Sequence, residues 1–336
     1  MSWTIWITGA PGSSASSVAQ AAARQLTERG VPVQLLRLDT ICTALTSPTA
    51  HADPASEIVG RVLVFMATAL TDAGVPVIVD AGAPGRAWRT LARTSLPRFA
   101  EVELAGPPTG TEPEPYEPGP RAELTVDAAV EDAQSTTARV VALALTLGPV
   151  TAPREPRGGA VLWLTGPPGS GKTTLATRLA EQLAGEGVPV SLLEWTVLRG
   201  AVLPSSWATT HAEEITHRAL AYTAKLLADS GRVVVVDATT ARRAWRALAR
   251  ELIATFAEVQ LVCPLHVCLE RERAVRWHPR STTVGEVVAV APDVALEYEY
   301  SLNPDLILDT ETRSEWTAAE DLIAFARRLL DRPATG

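Results

Sequence analysis

Gly166-Pro-Pro-Gly-Ser-Gly-Lys172-Thr173-Thr174 is the stretch from which the rest of this 336-residue chain is read. It follows the apolar run Ala160–Thr165 and opens into Leu175-Ala-Thr-Arg-Leu-Ala-Glu-Gln-Leu183, whose apolar residues recur at helical spacing. A strand, a Gly-rich turn ending in Gly-Lys-Thr and a helix make a cradle for phosphate. Gly166, Gly169, Ser170 and Gly171 let backbone N–H groups close around phosphate oxygens, and the helix N-terminus aims its dipole at the same anion. Lys172 supplies a point charge for the outer phosphates. The Thr173 hydroxyl can ligate Mg²⁺, and Thr174 completes the loop. Only two of the 30 basic residues are lysines, Lys172 and Lys225. A chain that otherwise prefers Arg keeps a compact ammonium where a planar guanidinium cannot substitute. This reads as a nucleoside-triphosphate site.

The length predicts two domains, each large enough for its own core. A net charge of −8 argues against nucleic acid or an anionic membrane as main partner. No apolar run is long enough to span a bilayer. The start, Met1-Ser-Trp-Thr-Ile-Trp-Ile7, has no basic region and reads directly as a strand, so no signal peptide is expected and a cytoplasmic location is. Cys42, Cys263 and Cys268 form neither a disulfide framework nor a metal-ligand pattern.

The chain repeats itself. Ile5-Trp-Ile-Thr-Gly-Ala-Pro-Gly-Ser13 returns as Leu162-Trp-Leu-Thr-Gly-Pro-Pro-Gly-Ser170, and Gly30-Val-Pro-Val33 as Gly187-Val-Pro-Val190. Arg86-Ala-Trp-Arg89 returns as Arg243-Ala-Trp-Arg246, and Phe99-Ala-Glu-Val102 as Phe256-Ala-Glu-Val259. All keep one offset, far above the period of a solenoid, with roughly four positions in ten identical over the first hundred residues. Two tandem copies are expected: residues 1–147, a linker at 148–159, and residues 160–336. In the second copy the pattern predicts strands near 161–165, 189–194, 232–237, 258–262 and 305–309. Helices are predicted near 172–185, 210–229, 241–254, 265–273 and 315–331. Alternating elements with continuous runs such as Val233–Val236 specify an α/β fold. Each copy would be a doubly wound, mostly parallel sheet flanked by helices.

The copies diverge where chemistry would sit. Ala15 stands at the position of Lys172, and Ser14 at that of Gly171. The Pro/Glu-rich segment 106–120 replaces the Arg-rich Arg271–Arg280 and the stretch to Glu297, a candidate basic lid over the phosphates. The first copy is therefore read as degenerate and non-catalytic, a packing partner in an intramolecular pseudo-dimer. The other open reading gives it a different ligand, lined by Asp39, Asp80, Arg61 and Arg86.

Further candidates gather at the carboxyl edge of the second sheet. Asp237 ends the Val233–Val236 run and either holds Mg²⁺ or caps the next helix. Glu194 ends the second strand and either orients and deprotonates an acceptor hydroxyl or is a solvated strand end. Arg199 and Arg218 are candidate ligands for an anionic acceptor, and Arg218, which has Arg61 as its counterpart in the first copy, is equally read as a structural ion pair. Arg271 leads the lid arginines as a candidate for contact with the transferring phosphoryl group. Trp207 either stacks on a planar substrate or packs. The histidines show no metal-ligand spacing, and Trp88 and Trp245, recurring in both copies, are expected to pack helices.

The second copy resembles the adenylyl-sulfate (APS) kinases, P-loop enzymes that phosphorylate the 3′-hydroxyl of APS using MgATP. The resemblance spans nearly all of 160–331. It is carried by Gly166–Thr174, Lys225–Gly231, Phe256–Val259, Pro264–Cys268 with Arg271, Tyr298-Glu299, and Asn303-Pro-Asp-Leu-Ile-Leu-Asp-Thr310. It implies P-loop kinase-type domains, ATP and Mg²⁺ as cofactors, and a small-molecule hydroxyl acceptor such as APS or another nucleotide-like compound. It places Arg199 on the Arg after the family's Asp-Gly-Asp, Arg218 on the first Arg of its Asn-Ile-Arg-Arg, and Thr240 on the Ser of its Ile-Ser-Pro turn. The acceptor side departs from that pattern. Glu194-Trp195-Thr196 replaces Asp-Gly-Asp, Thr216 replaces the Asn, and the lid's Lys-Gly-Leu-Tyr and the Phe-Thr-Gly are absent. Asp237-Ala-Thr-Thr240 is closer to other small-molecule P-loop kinases. The alternatives are a kinase of another nucleoside, sugar or natural-product hydroxyl, and a non-catalytic ATP-binding regulator.

Overall fold

A computed structural model describes residues 2–9, 13–46, 53–82, 86–105, 121–148, 158–203, 209–277 and 298–331. The linker core 149–157, the Pro/Glu segment 106–120, Trp207 and most of the expected lid lie outside the described residues. Two compact units form, residues 1–155 together with 199–219, and residues 156–198 together with 220–336.

The first copy runs β1 (Thr4–Gly9), α1 (Ala15–Glu28), β2 (Gln34–Arg37), α2 (Leu38–Leu45), α3 (Asp53–Asp72) and β3 (Val77–Asp80). It continues with α4 (Arg86–Ser95), β4 (Phe99–Ala105), β5 (Leu124–Asp127) and α5 (Ala133–Thr146). The second repeats the plan. It has β6 (Ala160–Thr165), α6 (Lys172–Gly185), β7 (Val190–Glu194), α7 (Trp195–Val202), α8 (Thr210–Asp229) and β8 (Val233–Asp237). Then come α9 (Arg243–Leu252), β9 (Phe256–Val262), α10 (Leu265–Trp277), β10 (Leu306–Asp309) and α11 (Glu315–Leu330). The two sheets have the same topology, β2-β3-β1-β4-β5 and β10-β9-β6-β8-β7, and every described pairing is parallel.

The strands buried on both faces are the continuous apolar runs: β3, β6 and β8 are buried at every position. The helices cover them with apolar stripes. α6 turns Leu175, Ala176, Leu179 and Leu183 onto Leu162, Val235 and Val259, and α11 adds Leu322, Ala326 and Leu329. α1 does the same in the first copy with Val18, Ala22 and Leu26 against Ile5, Ile78 and Val102. Ser314 caps α11 by accepting from the Thr317 N–H at 3.1 Å.

The repeated Arg-Ala-Trp-Arg and Phe-Ala-Glu-Val motifs meet as a buried clamp. Arg89 of α4 pairs with Glu101 of β4 at 3.2 Å, and Arg246 of α9 with Glu258 of β9 at 2.9 Å. A second Arg one turn on reaches the acid that precedes or starts the last strand, Arg93 with Glu123 and Arg250 with Asp305, both at 2.6 Å. Each clamp fixes a helix to the sheet, because a buried charge must keep its partner. Trp88 donates to Glu57 at 2.7 Å and packs so closely on α3 that a Cβ at Gly60 would lie 2.2 Å from its ring.

Two helices were not expected from the sequence, α2 and α7. Each starts at the residue after a strand, with no turn residue between, so the periodicity changes without punctuation. Among the described residues, no helix is long and apolar enough to cross a membrane.

Candidate functional site

The loop after β6 holds its shape with glycines in conformations that other residues rarely adopt. Gly166, Gly169 and Gly171 have φ of 156°, 78° and 93°. A Cβ on Gly169 would lie 2.3 Å from the Cys268 carbonyl oxygen. Lys172, the first residue of α6, is buried and donates to the carbonyls of Gly166 at 3.0 Å and Pro167 at 2.9 Å. Burial pushes its ammonium down to about 8, against an upward pull from Asp237. A cation held on two neutral carbonyls in a dry place is short of an anion. The buried Ser170 hydroxyl has no hydrogen-bond partner among the described residues. Both observations fit a phosphate chain lying against this loop.

Strand order brings the acids to the same place. β8 is the neighbour of β6, so Asp237 is in register with Leu164, and Glu194 at the end of β7 is in register with Asp237. The Thr173 hydroxyl donates to Asp237 Oδ2 at 2.5 Å. A hydroxyl and a carboxylate that close are a donor set suited to Mg²⁺, a hard cation that takes oxygen ligands. Glu194 is half-buried, and its carboxyl is held above the ordinary glutamate range by burial and then by the negative charge of Asp237. A carboxylate raised in this way accepts a proton more readily near neutral pH. Lys172, Thr173, Asp237 and Glu194 thus form one charged cluster, with Thr174 exposed beside it.

The remaining candidates are placed differently. Arg271 on α10 donates to the Thr310 carbonyl at 2.6 Å and lies 3.5 Å from Cys263 Sγ, so its guanidinium is engaged with the end of β10. Thr240 is buried at φ 41°, its hydroxyl accepting from Trp163 Nε1 at 3.2 Å and its carbonyl from Arg246, which holds it in the interior. Arg218 forms an i,i+4 pair with Glu214 at 3.0 Å, as Arg61 does with Glu57 at 3.1 Å in the first copy. Arg218 and the half-buried Arg199 fall within 199–219, the stretch grouped with the other unit. Burial pushes His217 down to about 3, leaving a neutral packed imidazole, and pushes the Cys268 thiol up to about 12. Among the described residues no cluster of His, Cys, Asp and Glu could hold a metal by itself.

The first copy carries a different arrangement on the same frame. Ser14 keeps the left-handed turn at φ 62° without the glycine, and Ala15 starts α1 where Lys172 starts α6. Arg37 is in register with Asp80, the position Glu194 holds against Asp237. Its guanidinium lies 3.7 Å from Asp80 and 2.5 Å from Asp39. Asp39 and Asp80, the two acids read as lining a ligand pocket there, thus share the Arg37 charge, and the Arg86 side chain lies outside the described residues. Arg37 escaped the sequence reading, although the repeat itself aligns it with Glu194.

Comparison with known proteins follows the same two-part division. The family model described as adenylylsulphate kinase matches residues 1–113 and 158–309. A probable adenylyl-sulfate kinase of Pyrococcus abyssi is 32% identical over 177 residues, covering 51% of this chain and 97% of that protein. The adenylyl-sulfate kinase of Chloroflexus aurantiacus is 32% identical over 173 residues, covering 52% and 91%. The Mycobacterium tuberculosis APS kinase CysC, solved in complex with AMPPNP and APS, is 28% identical, with a TM-score of 0.42 over 50% of this chain and 98% of that one. With a family match over both copies, the chain belongs to the adenylyl-sulfate kinase family.

Proposed function

We propose that the second copy is an ATP- and Mg²⁺-dependent kinase of a small-molecule hydroxyl, with APS the leading acceptor, and that the first copy is non-catalytic. The observation that carries this reading is the contrast between two equivalent sheet positions: Glu194 beside the Asp237–Thr173 pair in one copy, Arg37 3.7 Å from Asp80 and paired with Asp39 in the other. The names of the relatives from Pyrococcus abyssi and Chloroflexus aurantiacus support APS as acceptor.

In this reading Lys172 leaves its loop carbonyls for the outer phosphates and neutralises charge that builds up during transfer. Thr173 and Asp237 would hold Mg²⁺, which supplies electrostatic stabilisation to the phosphate oxygens. Glu194 orients the acceptor hydroxyl and takes its proton. The commitment of Arg218 to Glu214 favours a second acceptor, an uncharged alcohol that needs no guanidinium. ADP release assayed with APS and with a panel of nucleosides and sugars separates the two. Activity with APS, lost in Lys172→Ala, supports the first. Silence with APS beside activity on another alcohol selects the second. ATP binding with no phosphoryl transfer to any acceptor would overturn both and leave a regulator.

A further inference from the structure

α10 and the phosphate loop touch backbone to backbone at Gly169 and Cys268. The residue after β10 ties them together. Thr310 Oγ1 donates to the Ser170 carbonyl at 2.9 Å, while Arg271 donates to the Thr310 carbonyl at 2.6 Å. Thr310 is itself pinned to the sheet, its N–H donating to the Val262 carbonyl at 3.0 Å.

The bond to Ser170 has a directional consequence. In a trans peptide the carbonyl of one residue and the N–H of the next point to opposite sides. Holding the Ser170 carbonyl on Thr310 therefore turns the Gly171 N–H away from Thr310 and fixes it there. Nothing inside the loop does this, because Gly171 sits at φ 93° with open space where a Cβ would be. A peptide next to such a glycine flips with little steric resistance.

The first copy serves as a control. Ala128 holds the place of Thr310, its N–H donating to the Ala105 carbonyl at 2.7 Å, and it has no hydroxyl to offer. A cavity of about 130 Å³, lined by Ser13, Ser14, Ala128 and Asp132 among others, lies at this position. The loop that lost its lysine has lost the tie as well.

We propose that Thr310 is a positioning residue for nucleotide binding. It locks the Ser170–Gly171 peptide so that the Gly171 N–H is presented to the phosphates, and Arg271 acts through Thr310 rather than on the phosphoryl group. This rests on the nucleotide site assigned above. The test is calorimetric titration of the full chain with Mg²⁺–AMPPNP, alongside melting of the free protein. Thr310→Val should weaken binding about five- to tenfold, because the ligand must then order the freed peptide itself, and should lower the melting temperature of the free protein only by the loss of one neutral hydrogen bond. Thr310→Ser, which keeps the hydroxyl, should bind within about twofold of the unaltered chain. Wild-type affinity in Thr310→Val, or a loss in Thr310→Ser as large as in Thr310→Val, overturns the proposal. If Thr310→Val melts early, the serine variant still decides. Combining Thr310→Val with Arg271→Lys should weaken binding by less than the product of the two single losses; a full product overturns the place given to Arg271. No binding by the unaltered chain removes the nucleotide reading itself, a failure visible before any variant is compared.

Discussion

The two copies share a sheet topology, a buried arginine–glutamate clamp and the register of the residues at the strand tips, yet they differ in the sign of charge at those tips. In the second copy a lysine lies under the loop and two carboxylates face one another at the ends of β7 and β8. In the first, Ala15 stands in place of the loop lysine and the Arg37 guanidinium lies at the strand tip, 3.7 Å from Asp80. Two adjacent carboxylates repel and favour a bound cation, whereas an arginine beside a carboxylate already offsets its charge. The same frame thus carries a different charge balance at equivalent strand tips.

The comparison can be broken most sharply at the lysine. Lys172→Met should lower phosphoryl transfer by about a thousandfold or more, as removal of transition-state charge stabilisation does. Arg37→Ala in the first copy should leave the rate within about twofold. Lys172→Met should also stabilise the unliganded protein. The folded lysine titrates at about 8 against an ordinary 10.5, so its charged form is penalised below pH 8. The gain in Lys172→Met is then full below that pH, up to about 3 kcal/mol, and fades as pH rises toward 10.5. Chemical denaturation at several pH values measures it.

Next comes the strand-tip acid. Glu194→Gln should reduce kcat by about a hundred- to ten-thousandfold. In the unaltered chain activity should fall as pH drops through a carboxyl above the usual glutamate range, and that acid limb should vanish in the variant. A pH–rate profile unchanged in shape would remove Glu194 as base.

A prediction that treats the copies alike concerns the clamps. Arg89→Met and Arg246→Met each take the buried partner from a glutamate, leaving it to the more exposed Arg93 or Arg250, and should each cost about 3 kcal/mol in denaturant unfolding, the lower end of what breaking a buried pair costs. A large loss in one copy only would show that the shared motif does different work in each.

The smallest expected effect is at the loop turn. Ser14→Gly should stabilise the first copy by about 1 kcal/mol, since a left-handed serine is strained where glycine is not. Gly171→Ser should cost a similar amount, read by thermal melting.

Much of this was legible in the chain. The strands of the second copy were expected within about two residues, because parallel strands buried on both faces are continuous apolar runs. The loop was recognisable because its chemistry is contiguous: six residues from Gly166 to Gly171 and the lysine that follows. α2 and α7 were missed where a strand passes into a helix without a turn residue. Arg271 was read for its charge, and the structure places that charge on the Thr310 carbonyl.

What the sequence determined by itself was therefore local: the phosphate loop, the duplication, the alternation of strand and helix, and the missing lysine of the first copy. What only the tertiary structure decided was pairing across distance. Thr173 meets Asp237 from 64 residues away and Thr310 meets Ser170 from 140, through the strand order that sets β6 between β8 and β9 and β10 beyond β9. Residue types and spacing carry the short-range signal, whereas which carboxylate finds a hydroxyl, a metal or a guanidinium depends on which strands lie side by side.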